Sequence, residues 1–447
     1  MKILFVANQF GHFRHMEPVA EELLAMGYQI EWRFGNSIKA DITDRSVLEF
    51  NMRHQLISYR KMPVSQHIWR PISRFFRSIL GYRIYLKHGW TNVRYKEIYQ
   101  RNVKGLARFF LKMPLVWFFL RPPWVHDLLE YILKIIPDNP AVISDIKESR
   151  PSMVFVTSNL PWEAQELEYL KAAMHLGIPS TVQIASWDNL TTKSTLNVIP
   201  DAILLWNDAL KKEAEMLHHF PDEKIIITGA ATFDYIFAFK KLSSHSQFCQ
   251  QVGLQVELPF IVYLGSSKSI AGDETKFAKR IVQKVYKDLG VQVLIRPHPI
   301  NHKIWENFQE PGCVIWPQKG ELPDTSTTKQ DFLETLYHSL AVVGVNTSAM
   351  IEAAILDKPC ISVKSKEFES AQSETGHFRH LSEGQFLEIA KDINEAVSFL
   401  SEILNGNDRL KKNRRTFVSN FIRPNGIEKP VGLFIAETLA AIKDNKK

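Results

Sequence analysis

Cysteine is scarce in this chain. Its 447 residues hold three, Cys249, Cys313 and Cys360, an odd number set far apart. That spacing excludes a disulfide framework and a cysteine zinc site, and it fits a reducing compartment. Long hydrophobic runs are missing too, since nothing approaches the roughly 20 apolar residues of a membrane span. The apolar start, Ile3 to Ala7, is too short for a secretion signal and reads as a first strand. There is no low-complexity tract, no solenoid repeat, no metal-ligand cluster and no Asp-x-Asp pair. Acid is nearly absent from one stretch. Between Arg53 and Arg121 stand 15 Lys/Arg against one carboxylate, Glu97, a local charge of +14. The whole chain carries +7, so the remainder is −7. The domain bodies are mildly acidic and one insert is strongly basic.

What is present is a globular composition, 45% hydrophobic and 23% charged, in a chain long enough for two or three domains. Three short apolar runs each end in a small polar loop. Phe260–Leu264 runs into Gly265-Ser266-Ser267-Lys268. Val291–Ile295 runs into Arg296-Pro297-His298-Pro299. Leu340–Val345 runs into Asn346-Thr347-Ser348, after which an apolar helix begins at Ala349. Unalternating apolar runs separated by helices read as buried parallel strands. Ligands of such sheets bind beyond the carboxyl ends of the strands. Arginine grips phosphate bidentately and helix-opening N–H groups attract anions. The set is built for a diphosphate or a nucleotide phosphate.

The first half alternates in the same way. Strand Lys2–Ala7 precedes a loop to Met16, a helix Glu17–Met26 and a strand Tyr28–Phe34. After the basic insert, at about 50–135, come strand Met153–Val156, helix Trp162–Leu176, strands Ser180–Ala185 and Ala202–Trp206, helix Asp208–His218 and strand Lys224–Ile227. The expected fold class is α/β, with two doubly wound, Rossmann-like domains facing across a cleft and a basic helical insert in the first. The expected bounds are 1–236 for the N-terminal domain, 237–428 for the C-terminal domain, and 429–447 for a helix packing back on the first domain.

Several segments together resemble GT-B glycosyltransferases, and more narrowly the transferases of bacterial surface-polysaccharide and capsule assembly. They are Asp201–Asn207, Ile227–Asp234, Arg296-Pro297-His298-Pro299, Gly344–Ser348 with Glu352 and Lys358-Pro359, and Phe421–Gly426. The likeness covers about 150–430 well and 1–35 loosely, and the basic insert lies outside it. It implies a nucleotide-sugar as substrate, a glycan or lipid-linked acceptor, no metal and no other cofactor. It also implies that His298 contacts donor phosphate. The same general fold serves non-hydrolysing UDP-sugar 2-epimerases and teichoic-acid polyol-phosphate polymerases, so the resemblance leaves the reaction open.

The candidate donor residues are Gly265, Ser266, Ser267, Lys268, Arg296, His298, Asn346, Thr347, Ser348 and Glu352. Against them stand ordinary roles: a carboxylate partner for Arg296, plain N-capping for Asn346, Thr347 and Ser348, and a helix-dipole charge for Glu352. One pentapeptide occurs twice, Gly11-His12-Phe13-Arg14-His15 and Gly376-His377-Phe378-Arg379-His380. Arg14 and His15 are expected on the acceptor side, and His377 and Arg379 on the donor side. Ser186-Trp187-Asp188-Asn189 follows a buried strand. Asp188 and His12 are rival general bases, Trp187 is a stacking surface for a sugar, and Asn189 is an acceptor contact, with an Asx turn as the plain alternative.

Within the insert, Tyr99, Val103, Leu106, Phe110 and Met113 recur at helical spacing opposite Arg101, Lys104, Arg108 and Lys112. A second helix is expected near 68–80, with Ile72, Phe75, Phe76 and Ile79 opposing Arg70, Arg74 and Arg77. Cationic amphipathic helices flanked by Trp and Phe suit an anionic membrane surface. Packing on the chain's own domain is the plain alternative. A nucleic-acid partner is disfavoured because no binding motif accompanies the charge. The expected place of work is cytoplasmic, peripheral on the inner face of the membrane.

Overall fold

The computed structural model describes residues 1–35, 45–55, 59–63, 67–87, 103–113, 115–160, 164–193, 195–268, 270–368 and 376–444. Tyr99, Arg101 and Trp162 of the expected helices lie outside the described residues. The chain forms two compact units, residues 1–234 with 421–447, and residues 235–420.

The first unit is built on seven parallel strands: β1 (Lys2–Ala7), β2 (Gln29–Phe34), β3 (Arg60–Lys61), β4 (Met153–Ser158), β5 (Ser180–Ile184), β6 (Ala202–Leu205) and β7 (Ile225–Ile227). Their order is β3-β2-β1-β4-β5-β6-β7, so the winding reverses between β1 and β4. Ile3 to Ala7 and all of β4 are buried, because helices cover both faces. The helix Phe13–Ala25 starts four residues before the expected Glu17. Pro18 therefore stands in the second turn, where it removes a backbone bond. A buried stripe of Phe13, Met16, Val19, Ala20 and Leu23 offsets that loss and holds the helix together. Arg14 and His15 thus belong to a helix, not to a loop.

The final segment belongs to this unit, and it is fastened between residues 207–234 and 421–432. Asn207 caps the helix Asp208–His218 through Leu210 N–H, and its amide donates to the Phe421 carbonyl at 3.0 Å. Ala230 N–H donates to the Ile422 carbonyl, and Gly229, at φ +97°, leaves no room there for a Cβ. Asp234 accepts from Arg423 at 2.6 Å and from Gly432 N–H at 2.7 Å. A Cβ at Gly432 would lie 2.7 Å from the Pro18 carbonyl oxygen, which is how closely the helix Val431–Asp444 packs on Phe13–Ala25.

Helices Trp69–Lys87, Gly105–Lys112, Val116–Leu120 and Pro123–Ile135 gather around a small core of their own, including Leu80, Ala107, Leu111, Leu129 and Leu133. The expected apolar face is corrected here. Val103, Ala107 and Leu111 point inward, whereas Leu106, Phe109 and Met113 lie on the surface with Lys104, Arg108 and Lys112. Small side chains let this helix approach its neighbours, and the bulkiest ones are left outside.

The second unit holds six parallel strands: β8 (Phe260–Leu264), β9 (Gln292–Arg296), β10 (Cys313–Ile315), β11 (Val342–Gly344), β12 (Cys360–Val363) and β13 (Glu388–Ala390). Their order is β10-β9-β8-β11-β12-β13. The helix Thr275–Leu289 buries Phe277, Ala278, Ile281, Val282 and Val285 against them.

Asp234 supplies a direct test of the fastening. Asp234→Ala leaves Arg423, itself buried, without its carboxylate, a loss worth roughly 3–5 kcal/mol for a buried pair. Chemical denaturation is expected to show the first unit destabilised accordingly. Asp222→Ala, which breaks an exposed pair with Lys211, is expected to leave the transition where it was.

Candidate functional site

In the second unit the winding reverses at β8, with β9 on one side and β11 on the other. Leu264 pairs in register with Arg296 and with Gly344, so the three strands end level and their loops leave the same edge. Such a reversal is where an open parallel sheet accepts a ligand.

The loops are tied to one another through the backbone. Gly265 N–H donates to the Arg296 carbonyl at 2.9 Å. A Cβ at 265 would stand 3.0 Å from His298 N and 3.1 Å from the Arg296 carbonyl oxygen, so glycine lets the two backbones come this close without crowding. Buried Asn301 donates to the carbonyls of Ser266 and Ala271. Glu274 accepts from Ser266 N–H at 2.6 Å and from the Tyr263 hydroxyl at 2.9 Å. Burial pushes the Glu274 carboxyl up to about 7, against the pull of those two hydrogen bonds.

Arg296 is held by Asp331 and Thr335, each 2.8 Å from Nη1, with its guanidinium 5.0 Å from the Phe332 ring centroid. The carboxylate partner is therefore present, while Nη2 stays buried without a partner. Ser266 Oγ is likewise buried, with the Glu274 carboxyl beside it. The fold itself leaves the Arg296 Nη2 group without an acceptor beside these loops. Ile300 N–H donates to His298 Nδ1 at 3.2 Å, which leaves the proton of the neutral ring on Nε2. Burial lowers the His298 pKa and keeps the ring neutral, a donor through Nε2.

In the β11 loop Asn346 is buried, Thr347 is half-buried and Ser348 is exposed. Capping falls to Thr347, whose Oγ1 accepts from Ala349 N–H at 3.3 Å, and Ser348 makes no side-chain cap. Glu352 accepts from the Tyr235 hydroxyl at 2.9 Å, so one of its oxygens is already engaged. Ser267 is half-buried and Lys268 exposed. The second pentapeptide forms the helix Gly376–Glu383, where Arg379 is exposed and pairs with Glu383 on its own helix. The side chain of His377 lies outside the described ones. In both copies the Phe and the last His are buried and the Arg is exposed, as an amphipathic helix start requires.

In the first unit His12 is buried in the turn after β1. Burial, then the charges of Arg14 and Lys193, lower its pKa to about 3. A group so reluctant to take a proton is a poor base near neutral pH. Burial also lowers the pKa of His15 well below its usual value. Asp188 is half-buried, and its Oδ1 accepts from the Asn189 amide at 3.2 Å. Asn189 also accepts from Ser186 N–H at 2.8 Å, so its amide builds the loop and the expected acceptor contact is corrected to this turn. Trp187 is buried, which corrects the expected stacking face to a packing one.

One residue escaped the sequence reading. Glu166, fully buried, follows β4 beside the first unit's winding reversal. Its Oε1 accepts from the Ser158 hydroxyl at 2.7 Å, its Oε2 has no partner, and burial pushes it up to about 7. The available signal was spacing: Ser158 and Glu166 stand eight apart after a buried strand, as do Ser266 and Glu274.

No protein-family model matches the sequence. No curated protein matches it either. Solved structures do. UDP-GlcNAc 2-epimerase from Neisseria meningitidis, bound to UDP-GlcNAc, superposes at a TM-score of 0.56 and 12% identity, covering 99% of this chain and 100% of that one. A glycosyltransferase from Rickettsia africae gives 0.56 and 11%, covering 99% of each chain. The wall teichoic acid polymerase TagF gives 0.50 and 10%, covering 99% of this chain and 89% of its own. The fold is of the GT-B type. At these identities the likeness is one of fold, in a group whose solved members are enzymes.

The two buried carboxyls make stability depend on pH. Their folded pKa values lie above the usual 4.5, so their stabilising effect is complete below about 4.5 and is lost as pH rises through about 7. Glu274→Gln keeps the shape without the charge. Its melting temperature relative to the parent is expected to rise between pH 5 and pH 8. A constant difference across that range would show that Glu274 is ionised throughout.

Proposed function

We propose that this protein is a glycosyltransferase that moves a sugar from a nucleotide-sugar donor to a glycan or lipid-linked acceptor of cell-surface polysaccharide or glycolipid assembly. The donor's diphosphate lies over the loops after β8, β9 and β11. Ser266, the His298 Nε2–H group and the backbone N–H groups of these loops stabilise charge on the leaving phosphate. Arg296 serves mainly to hold the loop, with Nη2 left for the ligand. A base in the first unit takes the proton of the acceptor hydroxyl. Of the two expected bases, half-buried Asp188 is preferred to buried His12, whose pKa lies near 3, and Glu166, raised to about 7, is the rival.

The observation that carries this reading over its neighbours is the surface of the helices between 69 and 135. Leu106, Phe109, Phe118, Phe119 and Trp124 are each more than 60% exposed, and Lys104, Arg108 and Arg121 stand among them. Exposed apolar bulk beside cationic charge suits an anionic bilayer, and it has no use in an enzyme that interconverts soluble sugar nucleotides. Among the described residues no helix is long and apolar enough to cross a membrane, so the association is peripheral. We place the work on the cytoplasmic face, where sugar nucleotides are made and cysteines stay reduced.

The epimerase reading has its own support, because a neighbour over the full chain is an epimerase bound to UDP-GlcNAc. A melting screen against UDP, GDP, CMP, CDP, dTDP and their sugar conjugates comes first. One nucleotide class is expected to raise the melting temperature, and His298→Ala to weaken that binding about tenfold or more. UDP-GlcNAc incubated with enzyme and no acceptor is expected to remain unchanged. Accumulation of the 2-epimer would replace the transferase reading with the second one.

A further inference from the structure

In the first unit the strands around the reversal also end level. Ala7 pairs with Thr157 and Ser158 with Ile184, so the segments after β1, β4 and β5 leave one edge of the sheet. Two of these segments supply four basic residues: His12, Arg14 and His15 after β1, and Lys193 after β5. They stand close enough to interact. The His12 and His15 ring centroids are 6.2 Å apart, and the charges of Arg14 and Lys193 both act on His12.

Arg14 is exposed and Lys193 half-buried, and neither is paired with a carboxylate among the described residues. The helix carboxylates that follow, Glu17 and Glu21, go to Arg53 at 2.8 and 2.7 Å. Asp188, on the same segment as Lys193, accepts from the Asn189 amide. Arg14 Nε–H donates to His15 Nε2 at 3.3 Å. That bond uses the Nε edge of the guanidinium and puts the proton of the neutral His15 ring on Nδ1. It leaves the two Nη groups for a bidentate grip on an oxyanion. The Nδ1 atoms of His12 and His15 are buried without partners, on side chains 8% and 3% exposed. Two cations thus stand beside two neutral imidazoles, with their charge left for a ligand.

We infer that this cluster binds an anionic sugar residue of the acceptor glycan, one bearing a carboxylate or phosphate oxyanion, gripped by Arg14 and Lys193, with His15 positioning Arg14. The inference rests on the transferase reading, for which it names the acceptor as an acidic glycan. In that reading the donor's diphosphate has its own loops in the second unit. Asp188, the preferred base, leaves the same sheet edge as the cluster, which suits an acceptor anchored by its charge while its hydroxyl loses a proton.

The test uses the full chain and calorimetric titration with trigalacturonate, glucose 6-phosphate and neutral maltotriose. At least one of the two anionic sugars is expected to bind about tenfold or more tighter than maltotriose, and the tighter of them identifies the oxyanion. Arg14→Gln, at an exposed position, and Lys193→Gln are each expected to weaken that sugar about tenfold. Lys287→Gln, an exposed cation of the second unit, is expected to leave it unchanged. His15→Leu is expected to weaken it too, and His15→Gln, which keeps an acceptor for Arg14 Nε, to restore it. Equal binding of anionic and neutral sugars, or indifference to both Arg14→Gln and Lys193→Gln, overturns the inference. A nucleotide melting shift lost in Arg14→Gln would assign the cluster to the donor and overturn it as well. Nucleotide binding without anionic-sugar binding sinks only this inference, while anionic-sugar binding without any nucleotide keeps the site and sinks the transferase.

Discussion

The approach of the backbone at Gly265 to that at Arg296 is the constraint on which the second unit's site depends. The N–H of one meets the carbonyl of the other at 2.9 Å, and a Cβ at 265 would crowd the His298 nitrogen at 3.0 Å. That contact brings the loop of the reversal strand against the loop carrying His298. It stands beside Arg296 Nη2, which is buried with nothing to bond. An unpaired buried polar group costs free energy, on the order of 1–3 kcal/mol.

A buried carboxyl stands behind each reversal point. Glu274 supports the Ser266 loop through a backbone N–H, and Glu166 holds the Ser158 hydroxyl at the end of β4. Both are held near 7 by burial, yet their surroundings differ. Glu274 spends both oxygens on its neighbours, which makes it a brace. Glu166 keeps one oxygen unbonded, which suits a group that exchanges a proton. Two equal spacings in sequence thus place two carboxyls in different surroundings.

Much of the fold was legible because buried parallel strands leave a plain mark: four to six apolar residues without alternation, stopped by Gly, Pro or Ser. β1 and β8 fall on the bounds read from sequence, and the loops after β8, β9 and β11 leave one edge as the pattern implied. What failed to show has physical reasons. Pro18 concealed the first turn of Phe13–Ala25, because a proline usually marks a helix start, and only tertiary burial of Phe13 overrides that. Periodicity found apolar residues around Gly105–Lys112 without telling that Val103, Ala107 and Leu111 meet protein while Leu106 and Met113 stay exposed. Trp187 looked like a binding surface because residue type carries no burial. Glu166 passed unnoticed because a lone carboxylate near a helix start is ordinary until its burial is known.

Hydrogen exchange of the full-length protein, with and without a saturating nucleotide found in the melting screen, tests the central claim most directly. The account predicts slowed exchange in the amides of 265–268, 298–301 and 345–349, the loops beyond β8, β9 and β11. Protection confined to other segments, such as 8–16 or 186–193, with those three loops unchanged, would contradict it.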